Sequence, residues 1–241
     1  MVTSLKTISA MSSVELFESS PHFSGLNDDA FERISRLMVE RRVDKDEIVW
    51  LEGEPGRMLY FVASGLIKLF KTSAEGKEQI VKVIRPGESF GDSALFDING
   101  NTVSAQALVP SVLYGIEKSE LEALVRQHPQ LALNMIKVLA RQMHDYLSLV
   151  EDLAFKRVTS RLARILLKYS REATVRNPST FTQQEIAAMA GTVREVIGRS
   201  LKALEGKRII HLDGRRIIIT DVEALRNMAG LSGGRSNGVL F

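Results

Sequence analysis

Cysteine is absent from this chain. Disulfides, thiolate zinc sites, cysteine nucleophiles and cysteine-ligated iron–sulfur clusters are therefore excluded together. No apolar run approaches the length that crosses a bilayer, and Met1 to Ala10 lacks the basic start and continuous apolar stretch of a secretion signal. A cytoplasmic protein with no membrane partner is expected. Histidine is missing between Arg42 and Glu117, and arginine between Arg85 and Arg126. The first gap argues against a cupin-like metal enzyme, which gathers histidines and a carboxylate on neighbouring strands. Asp92 has no paired base and nucleophile that would suggest hydrolysis, so no catalytic residue and no metal site is expected.

What is present is most telling between Phe181 and Ile210. Ile186, Ala187 and Ala190 recur at helical spacing in a run of small side chains, which lets a second helix cross closely. Gly191 sits where the backbone must turn tightly, and Thr192 can cap the next helix. That helix buries Val196, Ile197, Leu201 and Leu204 and turns Val193, Arg194, Glu195, Arg199 and Lys202 outward. Arginine can donate two bonds to guanine and glutamate can accept from cytosine, whereas Lys202 suits phosphate. The pattern is a helix-turn-helix with double-stranded DNA as its partner. Two β-rich runs, Arg208 to Leu212 and Ile217 to Thr220, flank Asp213-Gly214 and read as a hairpin, which makes the module winged. Charge is segregated accordingly. Lys156 to Gly230 carries 15 Lys/Arg against 7 Asp/Glu, Met1 to Phe155 carries 16 against 22, and the whole chain is +3.

The N-terminal part predicts a helix within Pro21 to Val39, started by Asn27-Asp28-Asp29, with Ala30, Phe31, Ile34, Leu37 and Met38 inward. Short strands follow at Ile48 to Leu51, Met58 to Ala63, Leu66 to Thr72, Gln79 to Ile84, Val103 to Leu108 and Val112 to Glu117, with turns such as Ser64-Gly65 and Asn99-Gly100-Asn101 between them. Such spacing predicts a jelly-roll β-barrel within an α+β fold. From Lys118 the pattern is a short helix, a break near His128-Pro129 and a helix of about seven turns ending near Phe155. Along it Met135, Leu139, Gln142, Tyr146, Leu149 and Leu153 keep a three-four spacing, and Ile136, Met143 and Val150 form a second apolar edge. One edge can cover the barrel and the other can pair with a second copy. The first edge is taken as the interface of a homodimer.

Taken together, Gly53-Glu54, Phe61-Val62-Ala63-Ser64-Gly65, Ser89-Phe90-Gly91-Asp92 and Ala94-Leu95-Phe96, then Asp152-Leu153-Ala154-Phe155, then the winged helix, resemble the cyclic AMP receptor protein and fumarate–nitrate regulator superfamily of bacterial transcription factors. The resemblance covers nearly the whole chain. It implies a cyclic-nucleotide-binding-like sensor over residues 17–128, a dimerisation helix and hinge over 129–155 and a DNA-binding domain over 156–230, with flexible segments at 1–16 and 231–241. It places DNA contacts at Arg194, Glu195 and Arg199, with Thr182, Gln183, Val193 and Lys202 around them, on an inverted repeat related to TGTGA. RNA polymerase is a further partner such a regulator can take. An effector pocket is implied at Gly91, Asp92, Ser93, Thr102, Val103, Ser104, Tyr146 and Leu147.

Departures from the resemblance bear on that effector. Where cyclic nucleotide binders carry a glutamate after the Phe-Gly motif this chain has Asp92, and the arginine of their phosphate-binding pair falls on Val103 or Thr102. A buried phosphate without a bidentate cation loses a strong contact, so an effector other than ordinary cyclic AMP is expected. Haem is an alternative cofactor, with His22, His128, His144 and His211 as the only histidines.

Overall fold

The computed structural model describes residues 20–96, 100–170, 181–214 and 216–231. The segments 1–16 and 231–241, expected to be flexible, lie outside these residues except for Leu231, as does Asn99 of the expected Asn99-Gly100-Asn101 turn. The described residues fall into two compact units, one within Met1–Lys71 and Val81–Tyr146, the other within Thr72–Ile80 and Leu147–Phe241.

In the first unit a 3-10 turn, Pro21–Phe23, precedes α1, Asp28–Leu37. The expected helix thus starts at Asn27-Asp28, with the 3-10 turn lying ahead of it. Gly25, at φ 76°, breaks the path, and the Asn27 side chain accepts from the Ala30 N–H at 3.0 Å to start α1. At the other end α1 stops at Leu37, because Val39–Val43 is already a strand, β1. Then come β2 (Ile48–Trp50), β3 (Met58–Thr72), β4 (Glu78–Ile84), β5 (Ser89–Phe90), the short helix α2 (Asp92–Phe96) and β6 (Ser104–Glu117). They form one six-stranded sheet in the order β1-β6-β3-β4, with β2 also on β6 and β5 on β3. Expected as a jelly-roll barrel, this sheet does not close on itself among the described residues.

Four expected strands are in fact two long ones, β3 and β6, which pair antiparallel from Met58 opposite Glu117 to Phe70 opposite Ser104. Ser64-Gly65, read as a turn, is a bulge where the register shifts between Val62 and Leu66. A Cβ on Gly65, at φ 93°, would lie 2.0 Å from Ser111 Oγ. That hydroxyl accepts from the Leu66 N–H and donates to the Val109 carbonyl, so it has little room to withdraw. Pro110 falls beside the same irregularity, where the ladder asks for no N–H. The sheet's core divides in two. Phe23, Phe31, Ile34, Leu59, Phe61 and Leu131 pack on one side, while Trp50, Val62, Ile67, Phe90 and Leu113 belong to the other cluster.

Helix α3 (Lys118–Gln127) is followed by α4 (Pro129–Phe155), broken at His128 as Pro129 predicts. The second unit continues with α5 (Val158–Ser170), α6 (Gln183–Ala190), α7 (Arg194–Gly206), the hairpin β7 (Ile210–Asp213) and β8 (Arg216–Ile219), and α8 (Val222–Met228). Leu162, Leu166, Ala187, Ile197, Leu201, Ile210 and Leu225 share its core. Among the described residues no helix is long and apolar enough to cross a membrane.

Gly65→Ala is expected to lower the urea midpoint by the equivalent of about 1 to 3 kcal/mol, since both a left-handed backbone and a collision must be accommodated. Gly76→Ala is the control. Its φ is also positive, at 78°, but its Cβ meets nothing within 4 Å. Equal losses in the two variants would show that the approach to Ser111 contributes nothing.

Candidate nucleic-acid interface and effector cavity

Local rules set the first site. Thr182 caps α6, its hydroxyl accepting from the Glu185 N–H at 3.2 Å while the Glu185 carboxylate accepts from the Thr182 N–H. Gly191 ends the helix at φ 62°, ψ 46°, the left-handed conformation expected there. Ala187 and Ala190 are fully buried between α6 and α7, as their size allows. The cap of α7 is Val193, not Thr192, and it offers no side-chain hydrogen bond. Ile197, Leu201 and Leu204 face the core and Val196 is half-buried. Gln183, Val193, Arg194, Glu195, Arg199 and Lys202 are all exposed. The structure thus brings the expected DNA-contacting side chains onto one side of a helix pair, with Thr182 occupied in the cap. Beyond them the β7-β8 hairpin forms as expected, Asp213 opposite Arg216.

A second cluster fastens the end of α4 and was not foreseen from the sequence. Arg161 Nη1 donates to the carbonyls of Asp152, Leu153 and Lys156 at 3.4, 3.0 and 3.1 Å. The Asp152 carbonyl also accepts from the Lys156 N–H at 3.1 Å, the Leu153 carbonyl lies in the last turn, where intrahelical donors run out, and a cation there complements the helix dipole. The Asp152 carboxylate accepts from Arg164 Nη1 at 3.0 and 3.2 Å and pairs with Lys156. Arg164 Nε reaches the Ala229 carbonyl at 3.0 Å. Phe155, the last residue of the expected dimerisation helix and hinge, is 84% exposed.

In the first unit a small cavity, about 30 Å³ open to the centres of water-sized molecules, is lined by Trp50, Leu69, Lys82, Ile84, Ser89, Phe90, Gly91, Ser93, Asn101, Thr102, Val103, Gln142 and Tyr146. Of the expected pocket, Gly91, Ser93, Thr102, Val103 and Tyr146 are on its wall. Asp92, Ser104 and Leu147 are not. The Ser104 hydroxyl accepts from the Glu52 N–H at 3.0 Å, and Leu147 is 61% exposed. Asp92 is buried and points into a polar cluster: Oδ1 lies 2.7 Å from His22 Nε2, and Oδ2 accepts from Gln142 Nε2 at 3.0 Å. Ser89 Oγ lies 3.4 Å from Oδ2, and Asn134 Nδ2 donates to the His22 and Ser24 carbonyls. Burial alone would raise the Asp92 carboxyl, but the His22 hydrogen bond and charge, with the Gln142 amide and its own backbone N–H, outweigh it and hold the group below the usual carboxylate value. Tyr146 is pushed the other way by burial and by Asp92 and Asp145, and stays a neutral phenol.

This arrangement also redraws the long helix. Met135 is 4% exposed in the core, which removes it from the expected dimer interface, while Gln142 and Tyr146 are half-buried and line the cavity. Leu139, Leu149 and Leu153 are half-buried. The exposed stripe is Ile136, Met143, Leu147 and Val150, each 61 to 63% exposed. Nor are the histidines gathered. His22 is held by Asp92, His128 ends α3, His144 is exposed, and His211 lies 3.5 Å from Glu205. Among the described residues no histidine, cysteine or methionine lines the cavity, so this wall does not fit haem held by such ligands. Among the described residues no cluster of His, Asp and Glu could hold a metal ion.

Residues 40–128 match the cyclic nucleotide-binding domain, and residues 160–228 the Crp-like helix-turn-helix domain. A cyclic AMP receptor protein from Thermus thermophilus is 30% identical over 88% of this chain and 98% of its own length. A CRP-like cAMP-activated global transcriptional regulator from Mycobacterium tuberculosis is 26% identical, over 89% of this chain and 99% of its own. Among solved structures, a c-di-GMP responsive global regulator from Xanthomonas campestris superposes with a TM-score of 0.71 at 25% identity, covering 80% of this chain and 99% of that one.

Because the folded Asp92 is more acidic than the unfolded one, its contribution to stability is complete above the ordinary carboxylate pKa and lost as pH falls through the lower folded value. Urea midpoints measured at pH values descending through that range should fall for the wild type, and less steeply for Asp92→Asn. Removing the partner with His22→Ala leaves the carboxylate uncompensated and should cost about 3 to 5 kcal/mol near neutral pH.

Proposed function

Since the chain belongs to the cyclic AMP receptor protein and fumarate–nitrate regulator superfamily, whose members are transcriptional regulators and not enzymes, we propose that it acts as a homodimer on an inverted repeat related to TGTGA, its affinity set by an effector other than ordinary cyclic AMP. That it is a DNA-binding regulator with a cyclic-nucleotide-binding-like domain is established by its family. The observation that carries the DNA-reading proposal is the exposed row of Arg194, Glu195 and Arg199 on α7 behind a capped α6 and a left-handed Gly191. A two-fold dimer places two such helices on half-sites one helical turn apart. We assign pairing to the exposed stripe Ile136, Met143, Leu147 and Val150, which follows one side of α4 at coiled-coil spacing.

The sensor is assigned to residues 17–128, the dimerisation helix and hinge to 129–155 and the reader to 156–230. The cavity beside Trp50 and Tyr146 is the effector site in this reading. Two features support it: the cavity is walled partly by α4, and α4 runs on without a break to the turn that Arg161 fastens. An effector that repacks Gln142 or Tyr146 therefore acts on the helix that leads to the reader. Among the described residues no arginine lines the cavity, which disfavours a cyclic phosphate held bidentately. A cyclic AMP-responsive regulator is the second reading, favoured by what the names of the Thermus thermophilus and Mycobacterium tuberculosis relatives say of those proteins.

Fluorescence anisotropy on a TGTGA inverted repeat and a scrambled control, with and without cyclic AMP, tests the proposal. Specific binding that appears only with cyclic AMP would overturn the effector reading; equal binding to both sequences would overturn the operator. Arg194→Ala should cost about 1 to 3 kcal/mol and relax preference at one base pair. Leu147→Glu, placed on an exposed position, should yield a monomer by sedimentation and weaken operator binding while helicity is unchanged.

A further inference from the structure

Among the described residues Lys82 is the one charged side chain on the cavity wall, and the sequence pattern had not singled it out. It stands half-buried on β4. Among the described residues it makes no hydrogen bond, ion pair or ring contact. Asp92, the acid of the expected pocket, is turned away and committed to His22 and Gln142. Among the described residues no carboxylate therefore offsets Lys82 on the wall, and an ammonium partly withdrawn from water gains most from an anion placed beside it.

The remaining lining divides into donors and an apolar side. Ser93 and Thr102 are exposed hydroxyls, and Tyr146 is held as a neutral phenol able to donate. Trp50 stacks on Tyr60 with centroids 5.9 Å apart and lies 5.0 Å from Phe90, and its Nε1 donates to the Val103 carbonyl at 2.9 Å. The indole is thus fixed as part of a rigid apolar wall with Phe90, Leu69 and Ile84.

We propose that the cavity is an oxyanion site in which the Lys82 ammonium takes the carboxylate or phosphate of a small amphiphilic effector, whose apolar body lies against Trp50 and Phe90. The proposal rests on reading this cavity as the effector site and adds the chemical class of its ligand. A lone ammonium asks for a point charge and not for the planar, two-oxygen geometry that an arginine selects, so either anion satisfies it.

Trp50 is the only tryptophan of the chain, so its emission reports on this cavity alone. The full-length protein is titrated with phenyl phosphate, benzoate and neutral benzyl alcohol. A saturable change is expected with at least one of the two anions at millimolar concentration and none with the alcohol; which anion binds tells phosphate from carboxylate. Lys82→Gln should weaken that binding about tenfold or more, the loss of one charged hydrogen bond, and Lys82→Arg should largely keep it. Equal binding of the alcohol, an unchanged affinity in Lys82→Gln, or no saturable response to either anion overturns the proposal. Operator affinity measured in the same samples separates the two readings. Anion binding that never alters it retains the Lys82 site and removes the cavity's regulatory role, whereas cyclic AMP acting equally on wild type and Lys82→Gln retains the effector site and removes Lys82 from it.

Discussion

A buried carboxylate has to be answered, and the way Asp92 is answered organises the sensor unit. His22 comes from a 3-10 turn far earlier in the chain, Ser89 from β5 and Gln142 from α4, and all three converge on its two oxygens. Asn134, about two turns earlier on α4, donates to the carbonyls of His22 and Ser24. Leaving any of these groups dry and unpaired would be costly, so their mutual satisfaction selects one seating of the turn and of α4 against the sheet. The cavity inherits its chemistry from the same arrangement, because the carboxylate is spent inward and Gln142 serves both cluster and wall.

The second unit has its own fastening. Asp152 sits one turn from the end of α4, and Arg161 and Arg164 from α5 close on its carboxylate and on the carbonyls around it. A helix end that would otherwise fray is tied by side chains of the element that follows. What leads into the helix-turn-helix is consequently a hydrogen-bonded corner, with Phe155 left outside it.

Much of this was legible before any coordinates, and the legible parts share a cause: they are set by neighbours in sequence. Gly191 at a left-handed turn, Pro129 at a helix break and Asp213-Gly214 in a hairpin each impose a local backbone geometry. Positions that depend on distant partners were misread. Ser64-Gly65 looks like a turn until Pro110 and Ser111 supply the opposing irregularity. Val39–Val43, charged and largely exposed, has no alternation to announce β1. Asp92 lies in the expected motif, but only His22 explains why it turns from the cavity, and Lys82 reads as an ordinary outward residue of a strand. On α4 two apolar edges were visible, and which one faced the sheet depended on packing that no periodicity specifies.

The central place of β6 carries a consequence for how the chain acquires its shape. β1, β2 and β3 all pair with it, Val39 opposite Gly115 and Met58 opposite Glu117. Nothing made earlier can complete that sheet until Ser104–Glu117 has arrived, so its closure waits on contacts between remote parts of the sequence, the kind that form slowly. The reader unit, by contrast, has helices and a hairpin whose partners are close by. During synthesis the half that is made first is therefore the half with the longer wait, and its unpaired strands stay open to wrong partners until β6 leaves the ribosome.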